Sequence, residues 1–261
     1  MFVWHHDNAL RLIRQTDHMR QVGEMAEAWG SEAIAPPQEG REHLLCAASQ
    51  HDRGWSEWED APTLDPATRR PHNFNTVPVS RHVGFYRRGI DEVEALDPYA
   101  GLLVSMHGQG IYMGRFGAEG EPVPTPEEVA QFAPALRTFL AAESDRQRRL
   151  LAALGPNDAV LWNQYRLLQA WDRLSMFFCH GEPHKTLGPV PGRQGDVVIR
   201  VERLDVARAR LSPFPFPGRR REFATPGYVL PDRDFESNND LRACLEDTAS
   251  REMTFIAEAA T

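Results

Sequence analysis

The run NDAVLWNQYRLLQAWDRLSMFFCHG, residues 157–181, reads as one long and mostly apolar helix. A helix that is apolar over most of its surface has to be covered by the rest of the chain. One residue in it conflicts with that placement. Asp172 has Leu168 four residues before it and Ser175 and Met176 three and four after, so its carboxylate lies on a face that should be packed. An unpaired ionised carboxylate in such a place costs roughly several kcal/mol unless it is paired or bound to a cation. A salt bridge to Arg166 or Arg173, or a bend toward solvent, is the simple resolution. A metal ion is the other.

Helices dominate the chain before this run. A short opening hairpin is expected from MFVW and LRLIR, with its turn near Asp7-Asn8. Thr16 or Asp17 can cap a helix whose apolar residues Met19, Val22, Met25, Ala26 and Trp29 recur at three- and four-residue steps. A second helix is expected over about 39–53, closed by Gly54 as a left-handed cap. The stretch from Pro62 to Pro78 reads as a long ordered loop, and loops of that length tend to carry function. Helices over about 80–95 and from Asp97-Pro98 onward follow, then one beginning at PTPEEVAQF and broken at Pro134. After Gly181 the composition changes to a linker-like stretch and short β-type runs, VVIRVERL, REFATPGYVL and EMTFIAEA.

With 41% hydrophobic and 25% charged residues, the chain has the composition of a soluble globular protein. Its net charge of −8 disfavours extended nucleic-acid binding. The start lacks a signal-peptide layout, and no apolar stretch nears the roughly 20 residues needed to span a bilayer. A cytoplasmic location, with no membrane partner, is the resulting expectation. Cys46, Cys179 and Cys244 are far apart and read as reduced core thiols.

Asp172 has company. His107 stands on its helix with Leu103 and Ile111 four residues to either side, and His18 stands above Val22. His51-Asp52 falls in the last turn before Gly54, where a long imidazole and a short carboxylate can converge on one ion beside the helix. Another pair, His6-Asp7, lies in the hairpin without such partners and reads as ordinary surface.

The order His18, His51-Asp52, Asp172, each on its own helix, resembles the HD-domain superfamily of metal-dependent phosphohydrolases. More closely, QTDHMRQVGEMAEAWG, HDRGWSEW, DPYAGLLVSMHGQGIY and WDRLSMFFC resemble an uncharacterised bacterial family, domain of unknown function 3891. The resemblance implies a mainly α fold: an HD-domain-like helical bundle over residues 1–181, including the hairpin, with a linker and a small C-terminal β-containing annex over 182–261. It implies that His18, His51, Asp52 and Asp172 hold one ion, and that His107, with or without His82, holds a second ion or contacts the leaving group. Ligands of these types suit Mn, Fe, Co, Ni or Zn. The activity implied is hydrolysis of a small phosphoester or nucleotide-like substrate by a metal-activated water, with Asp52 and His107 as catalytic groups. Arg53, Arg81, Arg87 and Arg88 are the cations nearest in sequence for substrate phosphate, and Trp55, Trp58 and Phe74 are candidate pocket walls. A di-iron oxygenase and a non-enzymatic metal sensor are the rival readings, and a homodimer is left open.

Overall fold

The computed structural model describes residues 1–181 and 184–260. The chain opens with the expected hairpin, β1 (Phe2–His6) and β2 (Ala9–Ile13). Its two turn residues, Asp7 and Asn8, both adopt positive φ (51° and 58°), the turn type that matches strand twist and that short polar residues tolerate.

Helix α1 (Gln15–Ala28) follows. Neither Thr16 nor Asp17 caps it. The Glu59 carboxylate, from the short α3 (Ser56–Asp60), accepts instead from the Gln15 and Thr16 amides at 2.5 and 3.2 Å. Helix α2 (Arg41–Gln50) stops before His51 and passes into a single tight turn, Arg53–Trp55. Gly54 is required there for closeness, and not as a left-handed cap, because a Cβ on it would lie 1.9 Å from the Phe85 carbonyl oxygen. That carbonyl belongs to α4 (Val79–Leu96). Between them the 62–78 loop forms only the two-residue strands β3 (Leu64–Asp65) and β4 (Arg70–Pro71). Asp97 caps α5 (Pro98–Gly110) by accepting from the Tyr99 and Ala100 amides. The next helical region is divided as Pro134 dictates, into α6 (Pro126–Ala130) and α7 (Pro134–Leu154). The long apolar run is α8 (Asp158–His180), capped by Asn157.

The remainder corrects the expectation of a mainly α, HD-like bundle with a small annex. Strands β5 (His184–Gly192), β6 (Gly195–Arg203), β7 (Arg208–Ser212), β8 (Arg220–Pro231) and β9 (Arg251–Ala259), with α9 (Asn238–Asp247) before the last, build most of a large sheet. Its order is β1-β2-β8-β9-β7-β6-β5, seven strands, with β7 and β9 parallel and all other pairs antiparallel. The sheet curls into a half-barrel, and the protein is about 49% helix and 23% strand. Two features hid it. Residues 184–192 carry two glycines and two prolines and so read as linker, yet they sit on an edge strand, where proline costs no ladder bond. Second, β2 pairs with β8, more than 200 residues away in sequence, and no local signal encodes such a partner. Of the expected linker, residues 182–183 lie outside the described residues.

One hydrophobic core runs through helices and sheet, from Val22 and Met25 of α1, Trp29 just after it, and Phe177 and Phe178 of α8 to Ile199, Leu211, Phe223 and Phe255 of the strands. Helix α1 lies on β8, and α8 on β5 and β1. Among the described residues, no helix is long and apolar enough to cross a membrane.

Candidate metal centre

Four helical segments aim ionisable side chains at one buried point. Helix α1 supplies His18, the end of α2 supplies His51 and Asp52, α5 supplies His107, and α8 supplies Asp172. All five are at most 4% exposed. His51 and Asp52 share the point because the backbone leaves helical geometry between them. His51 is still helical, whereas Asp52 sits at φ −107°, ψ 16°, and this departure overcomes the roughly 100° that separates neighbours on a continuing helix.

The distances define the cluster. His18 Nε2 lies 3.1 Å from Asp172 Oδ1 and 4.0 Å from Asp52 Oδ2, while His51 Nε2 lies 3.7 and 3.6 Å from the same two oxygens. Two sets of ligand atoms converge to within 4.8 Å, His18–His51–Asp172 and His51–Asp52–His107.

The outer hydrogen bonds fix which ring nitrogen faces inward. His51 Nδ1 donates to the Ala48 carbonyl at 2.9 Å, so Nε2 faces the carboxylates and carries the lone pair whenever the ring is neutral; it is buried and has no hydrogen-bond partner among the described residues. The Ser175 hydroxyl donates to Gln21 Oε1 at 2.6 Å, so it accepts from His18 Nδ1 at 2.7 Å and leaves His18 Nε2 toward the carboxylates. His107 differs. Arg115 has only donors and binds Gln169 Oε1, which turns the Gln169 amide nitrogen toward His107 Nδ1 at 3.1 Å. His107 therefore accepts at Nδ1 and, when neutral, carries its proton on Nε2. Burial drives its pKa down to about 3.

The site calls for positive charge. Burial opposes a charged His51, but Asp52 and Asp172 outweigh it and carry its pKa up to about 9. Burial likewise opposes an ionised Asp172, yet His18, His51, His107 and Arg115 hold it well below the usual carboxylate range. Burial raises Asp52, and the Tyr86 hydroxyl donates to its Oδ1 at 2.9 Å. The simple pairing for Asp172 does not occur. Arg166 binds Asp196, and Arg173 binds Glu119 and Glu121.

Asp52, His107 and Asp172 open onto a cavity of about 290 Å³, whose walls include Phe2, Phe74, Val77, Val79, Tyr112 and Met176. His18 and His51 stand behind them. The 62–78 loop thus contributes Phe74, Asn75 and Val77 to the cavity. His82 also lines it, but bonds the Tyr112 hydroxyl and belongs to neither converging set. Burial lowers its pKa to about 4. Arg53 is paired with Glu92 and Gln50, Arg88 with Glu57, and Arg81 and Arg87 are exposed. None of these arginines lines the cavity. Trp55 and Trp58 pack with Phe85 in a separate part of the core. The lining arginine is Arg115, 8% exposed. Arg115, Tyr86 and Gln169 were not singled out from the sequence. The flanking glycines in GRFG were the one available hint of an unusual turn. His6 and Asp7 bond each other on the hairpin, away from the site, with Asp7 83% exposed.

A family model described as a protein of unknown function (DUF3891) matches residues 1–232. No curated protein and no solved structure matches the chain.

Proposed function

The chain belongs to the DUF3891 family, a membership that assigns no chemistry, and from that premise we propose a metal-dependent hydrolase of small phosphoesters. One divalent transition ion would sit between His18, His51, Asp52 and Asp172. The observation that carries this reading is His51 Nε2, buried and unpartnered, 3.6 and 3.7 Å from two carboxylate oxygens. Two buried carboxylate oxygens facing one imidazole nitrogen call for positive charge between them, and a divalent ion supplies it in place of the proton that His51 otherwise holds. Mixed imidazole and carboxylate donors suit Mn, Fe, Co, Ni or Zn. The ligand order His, His-Asp, Asp is also similar to that of the HD-type phosphohydrolases.

The ion count follows from the same nitrogen. Both converging sets use His51, and with Nδ1 engaged by Ala48 its single lone pair serves one ion. This favours a mononuclear hydrolase over a di-iron oxygenase, which needs two.

Bound there, the ion would bring the pKa of a water to near neutrality and offset charge on a phosphoryl oxygen. The protein's part is positioning. Ala48 and Ser175 fix the two imidazoles, and Tyr86 fixes Asp52. Asp52 lines the cavity and is placed to take a proton from the attacking water. The water oxygen bonds to phosphorus, the P–O ester bond breaks, and the leaving alcohol departs with the proton that Asp52 took from the water. His107, neutral, offers an N–H to the departing oxygen.

Elemental analysis of untagged protein tests this. About one transition ion per chain is expected after reconstitution with Mn, Fe or Zn, lost in His51→Ala and Asp172→Asn and kept in His6→Ala. Wild-type protein that takes up no ion overturns the reading.

A further inference from the structure

We propose that the Arg115 guanidinium is the anion-binding group of the cavity, and that the substrate is a phosphomonoester with one anionic head and a compact apolar body, such as an aryl phosphate. The substrate class rests on the hydrolase reading; the anion site does not.

Three observations converge on Arg115. It is 8% exposed yet faces the cavity, and among the described residues only Gln169 takes a hydrogen bond from it. Its acidic neighbours are farther off, Asp172 Oδ2 at 3.5 Å and Glu119 Oε2 at 3.6 Å. A guanidinium carries five N–H donors in a fork that matches two oxygens of a phosphate. Nη1 and Nε face Gln169, Asp172 and Glu119, and among the described residues Nη2 takes no hydrogen-bond partner.

The backbone is strained to place it. Gly114, Arg115, Phe116 and Gly117 take φ of 55°, 49°, 53° and 77° in succession, one turn of left-handed backbone. The glycines accept this freely, and at Gly114 a Cβ would stand 2.1 Å from the Pro122 carbonyl oxygen. Arg115 and Phe116 do not accept it freely, since a residue with a Cβ loses roughly 1–2 kcal/mol in that conformation. Such strain concentrates where a side chain must be delivered to a ligand.

The rest of the cavity sets the substrate's shape. Among the described residues Arg115 is its only arginine or lysine, which suits one anionic group and gives a second phosphate no fixed cation. The remaining wall is largely aromatic and aliphatic: Phe2, Phe74, Val77, Val79, Ile111 and Met176. At about 290 Å³, the space lies just below the usual range for ligand cavities, roughly 300–1,000 Å³. It offers a ring-sized apolar body a fit, and a nucleoside diphosphate none.

Calorimetry on the full chain, with and without reconstituted metal, tests the proposal with phenylphosphonate as the non-hydrolysable probe and benzoate, adenosine monophosphate and adenosine diphosphate as comparators. Phenylphosphonate should bind most tightly. Arg115→Gln should weaken it by about tenfold or more, and Arg115→Lys by less, because lysine keeps the charge without the fork. Metal content, measured on the same samples, should not change. A second measurement needs no variant: phenylphosphonate should shield Arg115 of the wild-type chain from an arginine-selective dicarbonyl, read by peptide mass spectrometry.

Phenylphosphonate affinity unchanged in a folded Arg115→Gln, or Arg115 modified equally with and without the probe, overturns the anion site. Tighter binding of adenosine diphosphate or of benzoate overturns the substrate class. If the chain takes up no metal while Arg115 still governs phenylphosphonate binding, the hydrolase reading falls and the anion site stands.

Discussion

His51 Nε2 lies in the protein interior with no hydrogen-bond partner among the described residues, and leaving such a group unsatisfied costs about 1–3 kcal/mol. Its neighbours are held by bonds whose removal should be felt at the ion. Tyr86→Phe keeps the ring but deletes the hydroxyl that donates to Asp52 Oδ1. It should lower metal affinity by about ten- to a hundredfold, measured by competition with a chromogenic chelator. Affinity equal to wild type would remove Asp52 from the coordination shell. His18, His107 and Asp172 could be picked out from sequence because each is a polar residue on an otherwise apolar helix stripe, and His51-Asp52 because the pair falls in a last helical turn before a glycine. Arg115, Tyr86 and Gln169 could not. Tyrosine and glutamine are ordinary at half-buried positions, and what matters at Arg115 is a backbone angle that its letter does not encode.

At the scale of elements, the site depends on where helices end and how closely they approach. The turn after α2 touches α4 through Gly54, whose place admits no side chain. Gly54→Ala should cost about 1–3 kcal/mol by overpacking, and urea denaturation that finds no loss would mean the two segments separate freely. The start of α5 depends on Asp97, which accepts from two amides and pairs with His43 at 2.6 Å. Partial burial opposes its ionisation, but His43 and the amides of Ala100 and Tyr99 prevail and hold its pKa below the ordinary value of 3.8. A depressed carboxylate pKa gives stability that is complete above the unfolded value and is lost as pH falls through the folded one. Asp97→Ala should therefore cost about 1 kcal/mol at neutral pH. The gap from wild type should close below about pH 4, followed by urea midpoints across pH 7 to 3. A gap constant over that range would show that the charge contributes nothing.

For the whole molecule, the helices and the sheet share one core. Phe178 of α8 meets Phe255 of β9 at 5.4 Å between ring centroids, and Trp29 meets Phe216 at 5.6 Å. A fragment of residues 1–181 would lose β5 to β9, leave β2 without β8, and expose the sheet-facing sides of α1 and α8. It should show no cooperative thermal transition and should bind a hydrophobic dye, whereas a sharp transition would establish the helical part as a domain of its own. The sequence by itself determined the longer helices before Gly181, the opening hairpin, the break at Pro134 and the polar residues on apolar stripes, because periodicity, proline geometry and the cost of burying charge act over a few residues at a time, whereas the short α3 and α9 did not show in it. Only the tertiary structure decided that β2 pairs with β8 and that a proline-rich stretch is an edge strand. It also decided that His51 and Asp52 face one point, and that the cavity's cation is Arg115 and none of the arginines near His51-Asp52. Those outcomes depend on pairings across more than 200 residues and on single backbone dihedral angles, and neither leaves a periodic trace in the order of residues.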